Sequence, residues 1–337
     1  MAQSGGNETH NIVIVGGSFG ALAVAHTLLK DVLPKLSSSK SCKVFMISPN
    51  SQFFWRPAAP RIIVNPAALS EDKAFFDIAE SFEKYDKSHI EHIRGYATSV
   101  DPSSQTILYS PDSMTASLPI HYGSLVLASG TLFKDPLWSL QSGEEPTKRA
   151  LKNTHDQVSA ARSIAIIGGG PLGCETAGEL GYLHGRSKEI NLFSGAKQLL
   201  HRLQDQRLGQ DAEGRLSNLG VKVVHKVRCE DTERTADGKT RVKLSDGTES
   251  VVDVVIEATG ETPSNKFIPK EWLTGDGLVR TVIATLRADV PNLDNVYAIG
   301  SISSALKGGI LGIVFSYKAL CESIQNDLTG QGRLPSY

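Results

Sequence analysis

Two apolar runs without polar alternation, each breaking off at a cluster of glycines, dominate the hydrophobic pattern of this chain. Ile12-Val-Ile-Val15 leads into Gly16-Gly-Ser-Phe-Gly-Ala21, and Ile164-Ala-Ile-Ile167 leads into Gly168-Gly-Gly-Pro-Leu-Gly173. Unbroken β-branched runs of this kind predict parallel strands covered on both faces. A helical stretch follows each turn, so the pattern reads as strand, glycine turn and helix, repeated after about 150 residues.

The intervening pattern supplies further elements. The first helix is expected to run to about Leu33, and Lys43 to Ile47 reads as the second strand. Gln52 to Ile63 is rich in aromatics and proline and leads into a helix; it serves either as filling between domains or as a flat wall against a fused-ring ligand. Phe75 to Tyr85 has the pattern of an amphipathic helix, and Ile90 to Val100 that of a strand partnered by Thr106 to Tyr109. Apolar strands ending in a Gly turn recur at Tyr122 to Thr131 and Val251 to Pro263. From Val221 to Ile256 the pattern is hairpin-like, with turns at Asp237-Gly238 and Asp246-Gly247. Asn295 to Ser301 makes a last strand and turn, before a helix from about Ile310 to Asp327.

The glycine turns carry the candidate chemistry. In a G-x-G-x-x-G turn the first glycine permits the tight turn, the second lets the backbone approach a pyrophosphate, and the third lets helix and strand pack closely. The second copy has all three, Gly168, Gly170 and Gly173. The first has Gly16, but Ser18 and Ala21 take the other two places, with Gly17, Phe19 and Gly20 between them. The second strand of such a unit ordinarily ends in an acid that holds the adenosine ribose; here Ser48 ends it, with Asn50 two residues on, and Ser194 takes the corresponding place in the second unit.

Composition narrows the classes. At 337 residues, 40% hydrophobic and 21% charged, the chain is long enough for two globular domains, and a net charge of −1 argues against nucleic acid as a partner. The run from Ile12 to Leu29 is not read as an export signal, because no Lys or Arg precedes it and Gly16, Gly17, Ser18 and His26 interrupt it. No stretch is long enough to span a bilayer, and Ala2 excludes N-myristoylation, so a cytoplasmic protein is expected. Cys42, Cys174, Cys229 and Cys321 are scattered, leaving no local thiol pair for a disulfide relay. His89 and His92 lack the partners of a metal site, and no metal is expected.

Four motifs in order resemble the two-dinucleotide-binding flavoproteins, the pyridine nucleotide-disulfide oxidoreductase-like group: Val15-Gly-Gly-Ser-Phe-Gly-Ala21, Leu125-Val-Leu-Ala-Ser-Gly130, Ile167-Gly-Gly-Gly-Pro-Leu-Gly-Cys-Glu175 and Val296-Tyr-Ala-Ile-Gly-Ser301. The absent redox cysteines and Phe53-Phe-Trp-Arg-Pro57 resemble the apoptosis-inducing-factor-like subgroup. The resemblance implies an α/β fold of two Rossmann-like domains, with an NAD(P) domain, residues 131–261, inserted in a discontinuous FAD domain, residues 1–130 and 262–337. It also implies a shortened C-terminal interface region, and a monomer or homodimer.

By the same resemblance, FAD is held by residues 16–21, Ser48, Asn50, Arg56, Ser129, Gly130, Gly300, Ser301 and Lys307. NADH or NADPH is held by Gly168, Gly170, Pro171, Leu172, Gly173, Ser194 and Gly260. Ser301 stands where the family has an Asp on the ribityl chain. Losing two charged hydrogen bonds, there and at Ser48, costs about 2 to 3 kcal/mol, a factor on the order of 100 in affinity. Glu175 either faces the flavin and nicotinamide rings or merely answers the helix dipole. Arg61, following Arg56-Pro57, matches the family's Lys near the reactive nitrogen, and a carboxylate at Glu175 would hold that cation. The activity implied is hydride transfer from NAD(P)H to FAD, and then electron transfer to a quinone or other small acceptor. The alternatives are a flavoprotein tailoring a particular small metabolite, or a nucleotide-binding protein without turnover. With Ser194 in place of an acid, and Lys197 and Arg202 nearby, NADPH is not expected to be strongly excluded.

Overall fold

The computed structural model describes residues 9–36, 41–112, 114, 116–141, 143–203, 205–306 and 309–330. In chain order its main elements begin with β1 (His10–Val15), α1 (Phe19–Thr27), β2 (Cys42–Ser48), α2 (Ala59–Val64), β3 (Ile90–Asp101), β4 (Thr106–Pro111), β5 (Leu118–His121) and β6 (Ser124–Leu127). They continue with α3 (Glu145–Ala160), β7 (Ser163–Ile167), α4 (Pro171–His184), β8 (Glu189–Ser194), α5 (Arg207–Asn218), β9 (Val221–His225), β10 (Cys229–Arg234), β11 (Thr240–Leu244), β12 (Glu249–Val252) and β13 (Val254–Glu257). The last two are β14 (Val296–Ala298) and α6 (Gly309–Thr329).

Contacts divide the chain into two compact units. The first gathers the described residues of 1–53, 76–132 and 262–337. Its sheet runs β14-β6-β1-β2-β3-β4-β5, parallel from β14 to β3 and antiparallel beyond. The strand β3 serves both parts because it slips register between Ala97 and Ser99, the bend of a β-bulge. Both faces of β1 are buried: Ile12 and Ile14 pack with Val24, Leu28 and Leu320, while Val13 and Val15 pack with Leu125, Trp272 and Val296. That two-sided burial is why the run Ile12 to Val15 shows no polar alternation. With β2 on one side and β6 on the other, the carboxyl end of β1 is a topological switch point, where open α/β sheets bind ligands.

The second unit comprises Phe54–Phe75 and Phe133–Glu261. Its parallel sheet runs β9-β8-β7-β13 and repeats the first unit's arrangement. Ile164 and Ile166 pack with Leu151, Ala177 and Leu180 on one face, and Ala165 and Ile167 with Val242, Leu244 and Val252 on the other. The antiparallel ribbon β10-β11-β12 supplies that second layer, turning at Gly238 and Gly247, both at φ +82°.

Three expectations are corrected. Phe75 to Tyr85 is not a helix but a short strand, Phe75–Asp77, and one helical turn, Ile78–Ser81, capped by Asp77, whose carboxylate accepts from Glu80 N–H at 2.9 Å. Val221–His225 is a parallel strand beside β8, not an arm of a hairpin. Phe54–Phe75, expected with the first domain, belongs to the second unit, because α2 packs on α3 and α4 and buries Ile62 and Ile63 there. Among the described residues, no helix is long and apolar enough to cross a membrane.

Candidate functional site

In the first unit the glycine turn is built by backbone contacts that a side chain would destroy. Gly16 has φ +136°, its N–H donates to Ile47 O at 2.9 Å, and a Cβ there would stand 2.3 Å from Ala128 O. A Cβ on Gly20 would press on Ile299 at 3.2 Å, and Ala21 is fully buried, so helix and sheet meet closely at both places. Ser18, the N-cap of α1, is exposed and makes no side-chain cap bond, and the first turn carries no acid. The unpaired N–H groups of that turn are thus left to an external anion, which a pyrophosphate supplies. Phe19 meets the ring of Phe53 edge-on at 4.8 Å.

Around this turn the expected hydroxyls are engaged within the protein. Ser48 is buried, lies beneath Gly17, donates to Asn50 O at 2.9 Å and sits 2.9 Å from His92 Nε2. Its hydroxyl therefore points inward and is not presented to a ribose. Burial holds the His92 pKa below its ordinary value, with Asp77 opposing and Arg94 assisting. Ser129 donates to Ser264 O at 2.7 Å, and Gly130, at φ +65°, brings the chain to Thr131, whose Oγ1 is 3.0 Å from Ser301 Oγ. Gly300, at φ +82°, turns the backbone into that contact. Lys307 lies outside the described residues.

The second unit repeats the turn bond for bond. Gly168, at φ +125°, donates to Phe193 O at 2.9 Å, and a Cβ there would meet Ala258 O at 2.8 Å. Ala258 N–H donates to Ile167 O at 2.8 Å, as Ala128 N–H does to Val15 O at 2.9 Å. A Cβ on Gly173 would fall 1.8 Å from Gly168 O, whereas one on Gly170 would meet nothing within 4 Å. Gly170 thus opens space at the N-terminus of α4, whose first two residues are Pro171 and Leu172 and whose first turn has no acid. Ser194 is buried beneath Gly169, as Ser48 is beneath Gly17. Gly260, at φ +83°, lies beyond the end of β13.

Both turns fit a dinucleotide pyrophosphate: bare backbone, a crowded first glycine and a helix N-terminus without its own anion.

The charged residues pair differently from expectation. Arg61 donates to Glu179 from Nε at 2.8 Å and Nη2 at 2.6 Å, so Glu175 does not hold it. The cation on which the Glu175 charge acts is Arg56: its guanidinium lies over the Phe133 ring at 5.1 Å, with the charges of Glu261 and Glu175 acting on it. Burial lowers the Arg56 pKa and the two carboxylates oppose that shift. Glu175 is exposed by area, yet the protein around its carboxyl excludes enough water to raise its pKa, with Arg56 opposing. All four cysteines are free, and burial pushes the Cys174 thiol up to about 12, the state of a packing residue. Thr131, Phe133 and Glu261 are not among the site residues expected from the sequence, and His92, weighed there only as a metal ligand, stands instead beside Ser48. Of these only Glu261 stood in a visible signal, beside Gly260 after an apolar strand.

Known proteins resemble this chain in sequence and in fold. Oxidoreductase ptaL of Pestalotiopsis fici is 33% identical over 296 residues, covering 88% of this chain and 77% of its own. Oxidoreductase phnG of Penicillium herquei is 33% identical over 348 residues, covering 97% and 82%. The structure of the sulfide:quinone oxidoreductase of Aquifex aeolicus superposes with a TM-score of 0.74 at 15% identity, covering 96% of this chain and 78% of that one, a likeness of fold. Residues 10–320 match the pyridine nucleotide-disulphide oxidoreductase family. With its duplicated turn and these relatives, the chain belongs to that family and is an NAD(P)H-dependent flavoprotein oxidoreductase.

Proposed function

We propose that the first unit holds FAD, the second holds NAD(P)H, and the electrons leave to a quinone or another small organic acceptor. The observation that carries the reading is the repeated pair of close approaches, Gly16 on Ala128 and Gly168 on Ala258, each beside a helix N-terminus without an acid. When bound, FAD would supply the redox chemistry between the nicotinamide and the acceptor, with the first turn of α1 holding its pyrophosphate. The protein binds and orients. The first turns of α1 and α4 hold the two pyrophosphates through backbone N–H groups, and Gly170 admits the nucleotide where a side chain would intrude.

We assign Arg56 and Glu175 an influence on the redox chemistry, because Glu175 stands on α4 two residues past Gly173 and its charge and that of Arg56 act on each other. Arg56 remains a cation at any working pH, fixed over Phe133, and stabilises negative charge developing beside it. The charges of Glu261 and Glu175 favour the cationic state of Arg56, and Glu175 does not relay electrons. The free cysteines support direct delivery to the acceptor without a disulfide. Two relatives at 33% identity are named as oxidoreductases, which supports a small-molecule acceptor.

The test is an anaerobic titration of the purified protein. A yellow protein bleached by one equivalent of NADH or NADPH, and recoloured by a short-chain quinone, supports the reading. A colourless protein that takes up no flavin from excess FAD overturns it.

A further inference from the structure

The end of β8 is unlike that of an NADH site, and what surrounds it comes from a segment some thirty residues later. After the buried Ser194 the chain passes through Gly195, and the segment 226–228 lies alongside: Val227 N–H donates to Ser194 O at 3.1 Å and Lys226 N–H to Ala196 O at 3.0 Å. Arg228 lies directly across Gly195, where a Cβ would stand 2.9 Å from Arg228 Cγ and 3.2 Å from Nε. A side chain at Gly195 would displace the Arg228 side chain from that position. Hydrogen bonds at both ends pin the Arg228 backbone, from its N–H to Ser245 Oγ at 3.0 Å and from Ser245 N–H to its O at 2.9 Å. Lys226 is held at φ +61°, a conformation that side-chain-bearing residues rarely adopt. Strain of that order persists where the surroundings enforce it, and here the bond to Ala196 enforces it.

We propose that Arg228, supported by Lys226 and the exposed Lys197, binds the 2′-phosphate of NADPH and makes the second unit select NADPH over NADH. The end of the second strand of a dinucleotide unit is where the ribose 2′ position lies; an acid there accepts the 2′-hydroxyl and repels a phosphate, whereas an arginine receives the phosphate. This chain offers Ser194, with Ala196 N–H donating to its Oγ at 3.3 Å, and no carboxylate. Glu213, an acid near β9, is occupied by His225 at 2.9 Å. Among the described residues no carboxylate pairs with Arg228, Lys226 or Lys197, so the three charges remain for an outside anion. Arginine suits the task because its planar fork gives a phosphate two parallel hydrogen bonds.

The inference rests on the second unit being the nicotinamide nucleotide site, and the experiment separates the two. The flavin-loaded protein is titrated calorimetrically with ADP-ribose and with 2′-phospho-ADP-ribose, neither of which can deliver a hydride. The expected result is at least tenfold tighter binding of the phosphorylated ligand, weakening with salt. Arg228→Ala should lose at least tenfold for that ligand, while ADP-ribose stays within twofold, which also reports an intact fold. Arg228→Lys should fall between. Equal affinities in the parent protein, or equal losses for both ligands in Arg228→Ala, overturn the inference and leave the nucleotide site standing. Binding of neither ligand overturns both.

Discussion

Arg61 and Glu179 form a two-pronged ion pair within the second unit, one helical turn beyond Glu175 on α4. The pair satisfies both partners and removes Arg61 from any role beside Glu175. The cation that does act on Glu175 is Arg56, five residues earlier, where the chain is still in a short 3₁₀ turn, Arg56–Ala58. Flavin reduction followed by stopped flow separates the two arginines. Arg56→Ala and Glu175→Gln should each slow it by roughly tenfold or more, the loss of one charged interaction. Arg61→Ala, an exposed pair, should remain within about twofold. Equal slowing in both arginine variants would return Arg61 to the centre.

Two glycine positions, Gly16 in the first turn and Gly170 in the second, predict opposite outcomes for the same substitution. Gly16→Ala forces a Cβ against Ala128 O at a positive φ, costing about 1 to 3 kcal/mol from the dihedral alone. It should lower the melting temperature and abolish flavin retention. Gly170→Ala meets open space at φ −81°, so its melting temperature should hardly move, while NAD(P)H binding should weaken by about tenfold. Thermal melts and nucleotide titrations of the two variants check this.

Ser301→Asp should tighten flavin binding. Ser301 Oγ stands 3.0 Å from Thr131 Oγ1 at the turn bearing Gly130, and a carboxylate there would exchange a neutral hydrogen bond for a charged one. The gain expected is about 1 kcal/mol, or roughly fivefold in affinity. Flavin retained through desalting measures it, and unchanged retention would place the ribityl chain elsewhere.

His92 makes folding stability depend on pH in a definite direction. Burial lowers its pKa in the folded state, so the unfolded chain binds the proton more readily. The stability it contributes is fully present above about pH 6.5, its unfolded pKa, and declines as pH falls below that value toward the folded one. His26 and His184 are lowered as well, chiefly by burial, and add to the same slope. His92→Asn should flatten the fall in melting temperature between about pH 7 and pH 5. An unchanged slope would mean that His92, with Ser48, Asp77 and Arg94 around it, does not titrate differently on folding.

The sequence alone was enough to identify both strand-turn-helix units, because their signals are local. A strand buried on both faces must be apolar throughout, as Ile12 to Val15 and Ile164 to Ile167 are. A backbone at φ +136° or +125° must be glycine, as at Gly16 and Gly168. Nothing local could assign Val221–His225, since a short apolar strand reads alike whether its partner is a neighbouring hairpin arm or β8, distant in sequence. Pairings between charges were equally hidden. Arg61 chooses Glu179 over Glu175, and Arg228 reaches Gly195, because packing sets which side chains share a space. Charges interact through distance in space, and the tertiary structure alone decides that distance.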